Sequence, residues 1–487
     1  MNPWMLLLNL VLLTSACGPS RPSAPQKDYT EDIKRIESGL MPSLIIEGEE
    51  PTPRTIQERM AHYKVPGVSI AFFENGAIQW TRTYGYLSRD SLQRVDEASR
   101  FQAASISKPV AATGLLTLVE AGDLDLDADV NTYLQEWRVP ENRFTEREQV
   151  TLRRLVSHNA GLTVHGFRGY AADEAVPTTV QVLNGATPAN SDPIVADTLP
   201  GAIWRYSGGG YTVMQRVVEE TTGQSFPTFL QAAVLTPLGM ARSTYEQPLP
   251  DSKRDNVAIG HRDDGSKVAG DWHTYPEIAA AGLWTTPSDL ARWALAVQAA
   301  YNGSKDELLS PEMARAVLSR QAEDWGLGPA LDGEADSLVF SHGGANEGYR
   351  CYLLAFARAG GPGAVVMTNN DNGAALFSEI MRSISDVYGW NKFRPTVKKV
   401  IDLPAEAKAA FTGAYAANEQ LRIRFELAGD TLRGYPAWEM APFHILPEGD
   451  DTFFDPQDGT TIRFFRDEEG AVAGFETQGY RFEREEE

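Results

Sequence analysis

The sequence predicts an α+β protein in which an antiparallel sheet is flanked by helices and joined by a helical second lobe and a small C-terminal antiparallel β-barrel-like domain. Strand-like runs occur as two distant pairs, within 68–83 and 349–368, and the stretch between them has a mostly helical pattern. We expect the two pairs to complete one sheet, with the helical insertion as the second lobe. From residue 421 apolar and charged residues alternate, which predicts the β-domain.

The N-terminus has the pattern of an export signal. An apolar run over 5–13 is too short to span a bilayer but fits a signal peptide. Two small residues precede Cys17, and the arrangement resembles a bacterial lipobox, in which the cysteine is lipidated. We therefore expect a signal peptide over 1–16, then a lipidated N-terminus and linker over 17–50. The resemblance implies a protein in the bacterial cell envelope, lipid-anchored and facing the periplasm; a plain signal peptide and an uncleaved buried helix are the alternatives.

The domain expected over 51–395 combines hairpins with helices. Asn75 and Gly76 between two β-branched runs are a strong hairpin signal. Thr286 is expected to cap the last long helix, with Pro287 at its first position. The predicted elements are a helix over 55–63, strands over 68–73, 77–83, 349–356 and 364–368, and helices over 211–222, 227–233 and 287–301. A further short helix is expected near 32–40, before this domain.

The segment 401–487 is expected to fold as a separate small all-β domain. Leu421, Ile423 and Phe425 alternate with charged residues, and glycines and acidic residues punctuate the short runs that follow. The segment carries no motif that we can connect with chemistry.

Composition excludes several classes of partner and site. The formal net charge is −22, from 66 acidic and 44 basic residues, so bulk charge would not hold a nucleic acid. The acidic loop with Asp123 lacks the glycine and the final acid of an EF-hand, and no histidines have the spacing of a zinc hydrolase. We expect no metal and no cofactor. Cys351 lies in a strand-like run and is expected to be a buried, inert thiol.

A nucleophile is predicted at the start of a helix. Pro109 fits only the first turn of a helix, and an apolar periodic run follows it to Gly122. Ser105 and Lys108 are three residues apart and share a face, so the amine can reach the hydroxyl. Free N–H groups at the helix start favour negative charge there. A serine hydroxyl needs a neighbouring base, and this pair supplies one.

Two further groups are candidates for the same site. Tyr206 and Ser207 lie in a loop before a helix, and a tyrosine there could accept a proton if a cation lowered its pKa. His342, Gly343 and Gly344 lie between strand-like segments; the glycines permit close approach of a substrate, and the histidine could bind a carboxylate or polarise the tyrosine. Each group alone is also compatible with an ordinary cap, surface aromatic or structural histidine.

Together, in this order, the three groups resemble the motifs of the serine β-lactamase and penicillin-binding protein superfamily, most closely the class C β-lactamases and related D-Ala-D-Ala carboxypeptidases, D-aminopeptidases and esterases. The 101–109 segment is similar to the Ser-x-x-Lys element, Tyr206 to Gly208 to Tyr-x-Asn, and His342 to Gly344 to Lys-Thr-Gly. Other stretches are also similar, including 155–162, which contains His158. The resemblance covers about 51–395.

The resemblance implies a role for each candidate residue. Ser105 would form an acyl-enzyme, Lys108 would hold or take its proton and keep Tyr206 partly ionised, and Tyr206 would be the general base. Backbone N–H groups of Ser105 and Ala345 would form the oxyanion hole. The expected substrate-binding residues are His342, Gly343, Gly344 and Ser207.

Two departures bear on the substrate. Gly208 replaces an asparagine that would contact an acyl-amide, and His342 replaces a fixed positive charge. Both favour a serine hydrolase acting on an ester, a D-amino-acid peptide or a related amide over a dedicated β-lactamase. A β-lactamase or DD-peptidase proper is one alternative, and an inactive relative that binds cell-wall peptide is another. The expected partners are a small-molecule or peptide substrate and, through the lipid anchor, a membrane; the sequence does not predict an oligomeric state.

Overall fold

The structure is a computed structural model that describes residues 27–305, 307–438 and 440–485. The predicted signal peptide and lipidated Cys17 lie outside these residues, so export and anchoring stay predictions. The strands before the C-terminal domain are β1 (Leu44–Ile46), β2 (Gly67–Glu74), β3 (Ala77–Gly85), β4 (Phe101–Gln102), β5 (Trp284–Thr285), β6 (Ala330–Asp332), β7 (Val339–Asn346), β8 (Tyr349–Phe356), β9 (Gly363–Thr368) and β10 (Thr396–Lys398).

Helices occupy most of the chain between the two strand pairs. They are α1 (Thr30–Ser38), α2 (Ile56–Tyr63), α3 (Ser107–Ala121), α4 (Leu152–Val156), α5 (Thr179–Asn184), α6 (Gly208–Thr222), α7 (Phe226–Leu230), α8 (Ile278–Ala281), α9 (Pro287–Tyr301), α10 (Pro311–Val317) and α11 (Gly373–Val387). None of the helices that the structure describes has both the length and the apolar character needed to cross a membrane.

Six strands form one antiparallel sheet in the order β3-β2-β9-β8-β7-β6. Strand β2 pairs with β3 on one side and with the distant β9 on the other, so the prediction that remote segments complete one sheet is confirmed. Asn75 and Gly76 turn the first hairpin with φ values of 54° and 77°. Left-handed backbone at both positions is what a tight hairpin turn requires, and these two residue types adopt it readily.

Side chains of β2 point alternately into two apolar cores. Ala71 and Phe73 belong to a large core with α3, α6 and α9, whereas Ile70 and Phe72 belong to a second core with α1, α2 and α11. Because successive strand residues face opposite sides, a strand covered on both faces is apolar throughout. The sheet therefore lies between two helical layers.

The predicted helices are present, and some of them have shifted ends. Helix α6 begins at Gly208, three residues before the predicted start, because Ser207 caps it. The run predicted over 227–233 is α7, followed by a π-helical turn over Gln231–Leu235. Helix α9 matches its predicted bounds, and Thr286 caps it by accepting the N–H of Asp289.

The stretch 29–46 is part of the folded body, and its prediction as linker is wrong. Ile33 and Ile36 lie on one face of α1 and are buried in the second core, and strand β1 pairs in parallel with β10. The apolar spacing of α1 gave it a face to bury, which outweighed the polar composition of the segment. The helix predicted near 32–40 is α1.

The C-terminal segment forms a closed eight-stranded antiparallel barrel, which confirms the predicted barrel-like domain. A short helix α12 (Ala405–Ala409) precedes it, and its strands are β11 (Gly413–Ala416), β12 (Arg422–Ala428), β13 (Thr431–Pro436), β14 (Phe443–Pro447), β15 (Thr452–Phe454), β16 (Thr461–Arg466), β17 (Val472–Thr477) and β18 (Tyr480–Arg484). Ile423 and Phe425 face its interior, and their charged neighbours face outward. Lys398 of β10 forms a 2.7 Å ion pair with Glu448, which ties the barrel to the body.

Candidate active site

Ser105 lies where a short 3-10 turn becomes helix α3. The turn is Ala104–Ile106, and α3 begins at the next residue. Pro109 is in the first turn of α3, as predicted, and left-handed Gly122 ends the helix. Ala104 has a φ of 49°, a strained conformation for a residue with a side chain. This sharp bend places Ser105 half-buried at the helix start, where N–H groups and the helix dipole favour negative charge.

Lys108 lies within hydrogen-bond distance of the Ser105 hydroxyl. Its Nζ atom lies 3.1 Å from Oγ of Ser105 and donates to the carbonyl oxygen of Ala280 at 2.9 Å. The side chain is only 2% exposed, and burial lowers its pKa to about 7. A substantial fraction of this amine is therefore neutral near pH 7, in a position to accept the serine proton.

Tyr206 lies against Lys108 and Ser105, as predicted. Lys108 Nζ lies 4.9 Å from the centre of the Tyr206 ring. Burial raises the pKa of the Tyr206 phenol, and a side-chain hydrogen bond with Ser105 opposes this only in part. The expectation of a partly ionised phenol is therefore not supported, because removing the ring from water outweighs the hydrogen bond with Ser105.

His158 is a site residue that the sequence analysis did not select. It is 1% exposed, and its ring stacks on that of Tyr206 at 4.1 Å between centroids, with 28° between planes. The stretch around it was similar to the superfamily, and this was the only signal for it. A lone buried histidine gives no other cue in a sequence.

His342 lies in β7, and its ring is 6.1 Å from the Tyr206 ring between centroids. It is buried, and burial together with the charge of Lys108 lowers its pKa to about 3. Its Nδ1 atom donates to the carbonyl oxygen of Gly343 at 2.6 Å, since that oxygen can only accept. The ring is thus neutral, with Nε2 unprotonated, and supplies no positive charge near neutral pH.

The two glycines after His342 play different parts. A Cβ atom at Gly344 would lie 2.3 Å from the Ala103 carbonyl oxygen and 2.4 Å from Cys351 Sγ, so Gly344 allows β7 to pack against the chain before Ser105. A Cβ at Gly343 would have ordinary contacts. Cys351 is buried, and burial raises its pKa, as expected of an inert thiol.

Ala345 is exposed on β7, beside the turn that holds Ser105. Next to it, Asn346 donates to Gln102 at 2.7 Å and to the Ala281 carbonyl at 3.1 Å. These bonds fix the strand relative to β4 and α8. The oxyanion role of the Ala345 and Ser105 N–H groups stays a prediction.

The Ser207 hydroxyl caps helix α6. Its hydroxyl accepts the N–H of Gly210 at 3.0 Å and donates to the Thr163 carbonyl at 2.9 Å. This cap leaves the predicted contact with substrate without support. At Gly208 a Cβ atom would lie 3.0 Å from the ring of Phe167, so this ring occupies the space that a side chain there would need.

Trp204 and Trp325 form an aromatic wall beside Tyr206. The two tryptophan rings lie 5.4 Å apart, and Trp325 lies 5.7 Å from Tyr206 and 5.6 Å from His342. Both tryptophans are partly exposed, and the neighbouring Ile203 is 47% exposed. The wall offers apolar surface beside Tyr206 and His342.

Comparison with known proteins assigns the chain to a family. The family model described as Beta-lactamase matches residues 53–387, more than two thirds of the chain. The chain belongs to the beta-lactamase family. Ser105, Tyr206 and His342 all fall inside the matched residues, and the barrel lies beyond them. The resemblance to serine β-lactamases and penicillin-binding proteins is thereby confirmed, and with it membership of a serine hydrolase family.

Relatives in the family agree with this assignment. Penicillin-binding protein 4 of Amycolatopsis lactamdurans is 29% identical over 354 residues, which cover 67% of this chain and 86% of the relative. Protein flp of Staphylococcus aureus (strain N315) is 26% identical over 258 residues, covering 51% of this chain and 48% of flp. This chain thus spans about half the length of the flp relatives that it matches.

A solved structure extends the likeness to the barrel. The octameric penicillin-binding protein homologue from Pyrococcus abyssi matches with a TM-score of 0.61 at 20% identity, covering 88% of this chain and 98% of that chain. At this identity the likeness shows a shared fold. The beta-lactamase family fold, with helices on both faces of an antiparallel sheet, is therefore the fold of this chain.

Proposed function

We propose that this protein is a serine hydrolase that forms an acyl-enzyme at Ser105 on an uncharged ester or on a D-amino-acid amide or peptide. The observation that carries the proposal is the contact of a buried amine, Lys108 Nζ, with Ser105 Oγ at 3.1 Å. Burial lowers the pKa of this amine to about 7, so it can accept a proton at neutral pH.

The proposed reaction has two steps. Neutral Lys108 takes the proton of Ser105 as Oγ bonds to the substrate carbonyl carbon, and the proton passes to the alcohol or amine that leaves. Water then adds to the acyl carbon and gives one of its protons to Lys108, the bond from the acyl carbon to Oγ breaks, and Lys108 passes that proton to Oγ as the carboxylic acid leaves. Free N–H groups at the start of α3 would stabilise the negative oxygen.

Tyr206 is proposed to act as a neutral phenol. Its raised pKa disfavours the tyrosinate that a general base requires, and its contact with Ser105 fits a hydrogen-bonding partner for the attacking or leaving oxygen. We therefore assign proton acceptance to Lys108, and proton relay or orientation to Tyr206.

The substrate class follows from charge and apolar surface. Neutral His342 supplies no positive charge for a carboxylate, which a β-lactam or a C-terminal D-alanine would carry. The aromatic wall of Trp204 and Trp325 favours an apolar group beside the reacting carbonyl. A β-lactamase or DD-peptidase remains the second candidate, since a curated relative is named a penicillin-binding protein.

The proposal is tested by hydrolysis of p-nitrophenyl butyrate, D-alanine p-nitroanilide and nitrocefin. Wild type is compared with Ser105→Ala and, as a control, with Ser91→Ala. The Ser91 hydroxyl accepts the N–H of Gln93 in a surface turn. We expect turnover of the ester or the anilide, at least tenfold faster than nitrocefin, in wild type and Ser91→Ala and its loss in Ser105→Ala. Faster nitrocefin turnover would assign the protein to the β-lactamases. No turnover of any substrate would favour the inactive binding protein.

A further inference from the structure

His158 adopts a left-handed backbone conformation, which is uncommon for a residue with a side chain. It follows α4 and has a φ of 62°, in the left-handed region that glycine and asparagine enter more easily. Strain of this kind persists where the surrounding structure requires a particular side chain, which is a reason to ask what His158 does.

Three contacts of His158 surround Tyr206. Its carbonyl oxygen accepts the N–H of Arg205 at 2.7 Å, and its Nδ1 atom accepts the N–H of Ser207 at 3.1 Å. Between these bonds its ring stacks on the Tyr206 ring at 4.1 Å. One residue thus holds the backbone on both sides of Tyr206 and one face of its ring.

The contacts require a neutral imidazole. Because Nδ1 accepts a backbone N–H, it carries no proton, and the proton is on Nε2. Burial, with nearby Lys108, lowers the pKa of His158 far below its usual value, which keeps this tautomer uncharged. Nε2 is buried without a hydrogen-bond partner among the described residues, and the ring meets Trp325 edge to face at 5.0 Å.

We infer that His158 is a positioning residue for the hydrolysis, which sets the Tyr206 phenol against Ser105 and Lys108. The inference rests on the proposed function. It explains why a histidine is present: a phenylalanine would keep the stacking but lose the acceptor for Ser207, and an asparagine would keep an acceptor but lose the stacking surface. The stacking on Tyr206 and the hydrogen bond with Ser207 can therefore be removed separately.

The experiment compares His158→Phe and His158→Asn with wild type and with His62→Phe, a change at an exposed histidine of α2. An alkyl p-nitrophenyl phosphonate counts the reactive sites in each preparation, and kcat and KM for the preferred substrate are expressed per reactive site. Thermal unfolding is recorded for all four proteins. Normalising in this way separates loss of folded protein from loss of turnover in sites that are intact.

We expect kcat per reactive site to fall by about 100-fold in at least one His158 variant with KM changed less than threefold, because small misplacement of a catalytic group has costs of this order. His62→Phe should match wild type. If the phosphonate labels wild type and both His158 variants keep the wild-type kcat per site, the inference alone is overturned. A lower unfolding temperature of the variants without a change in kcat would also overturn it. A wild type that reacts neither with phosphonate nor with substrate would overturn the proposed function and this inference with it.

Discussion

Lys108 Nζ lies 3.1 Å from Ser105 Oγ, and both residues belong to one continuous turn of helix. The three-residue spacing brings the amine to the hydroxyl, and the surrounding core removes the amine from water. Burial lowers the Lys108 pKa to about 7, which converts a cation into a base at neutral pH. The pairing links a local sequence pattern to the chemistry of the site.

The pH profile should report the titration of Lys108. Because the neutral amine is the reactive form, we expect kcat/KM to rise with pH and to level off above about 7. Lys108→Arg stays protonated throughout this range and should lose at least about 100-fold in kcat/KM. Initial rates from pH 5 to 9 check this. A flat wild-type profile, or an arginine variant with wild-type rates, would show that Lys108 is not the base.

Gly344→Ala should destabilise the protein far more than Gly343→Ala. The new methyl group at 344 would lie 2.3 Å from the Ala103 carbonyl oxygen, whereas at 343 its nearest neighbour is Tyr352 at 3.6 Å. We expect a loss of about 1–3 kcal/mol in the free energy of unfolding at 344 and under about 0.5 kcal/mol at 343. Urea unfolding of both variants measures the difference. Equal stabilities would mean that β7 does not pack closely against the segment before Ser105.

Glu277→Gln should stabilise the protein at neutral and alkaline pH. Glu277 is fully buried, its carboxyl oxygens have no hydrogen-bond partner among the described residues, and burial raises its pKa to about 8. The pKa of Glu277 in the folded protein thus exceeds its ordinary value of 4.5, so its contribution to stability is full below pH 4.5 and declines as the pH rises to about 8.

Glutamine has no such titration, so the gain in unfolding free energy should grow between pH 4.5 and 8 by up to roughly 1.4 kcal/mol per pH unit. Denaturant unfolding at pH 5 and pH 8 measures it, with Glu468→Gln in an exposed turn as the control. A difference between wild type and variant that is independent of pH would argue that Glu277 is ionised in the folded protein.

Local sequence patterns predicted the helices and strands, whereas the protonation states of the site residues depend on burial in the folded protein. The hairpin at Asn75, the α9 cap at Thr286 and the Ser105–Lys108 pair depend on residues a few positions apart, so the sequence carries their geometry. The charge of His342 and the ionisation of Tyr206 depend on how much water the folded site excludes. That quantity comes from segments far apart in the chain, so a local pattern does not give the pKa of either side chain.

Contacts made by backbone atoms were the hardest to predict from the sequence. His158 holds Tyr206 through its own carbonyl and through the N–H of Ser207, and neither contact depends on a recognisable pattern of side chains. Ser207 was expected to face the substrate, yet its hydroxyl was needed to cap α6. A helix was expected near 32–40, but the sequence analysis placed it in a linker, whereas Ile33 and Ile36 bury one face of α1 in the folded body.

Intact-mass spectrometry after incubation with an alkyl p-nitrophenyl phosphonate tests most directly whether Ser105 is the nucleophile. Wild type and Ser105→Ala are treated in parallel at pH 8, where Lys108 is largely neutral. We predict one phosphonyl adduct per wild-type molecule and none on Ser105→Ala. An unmodified wild type, or an adduct of equal extent on Ser105→Ala, would contradict acyl transfer at Ser105.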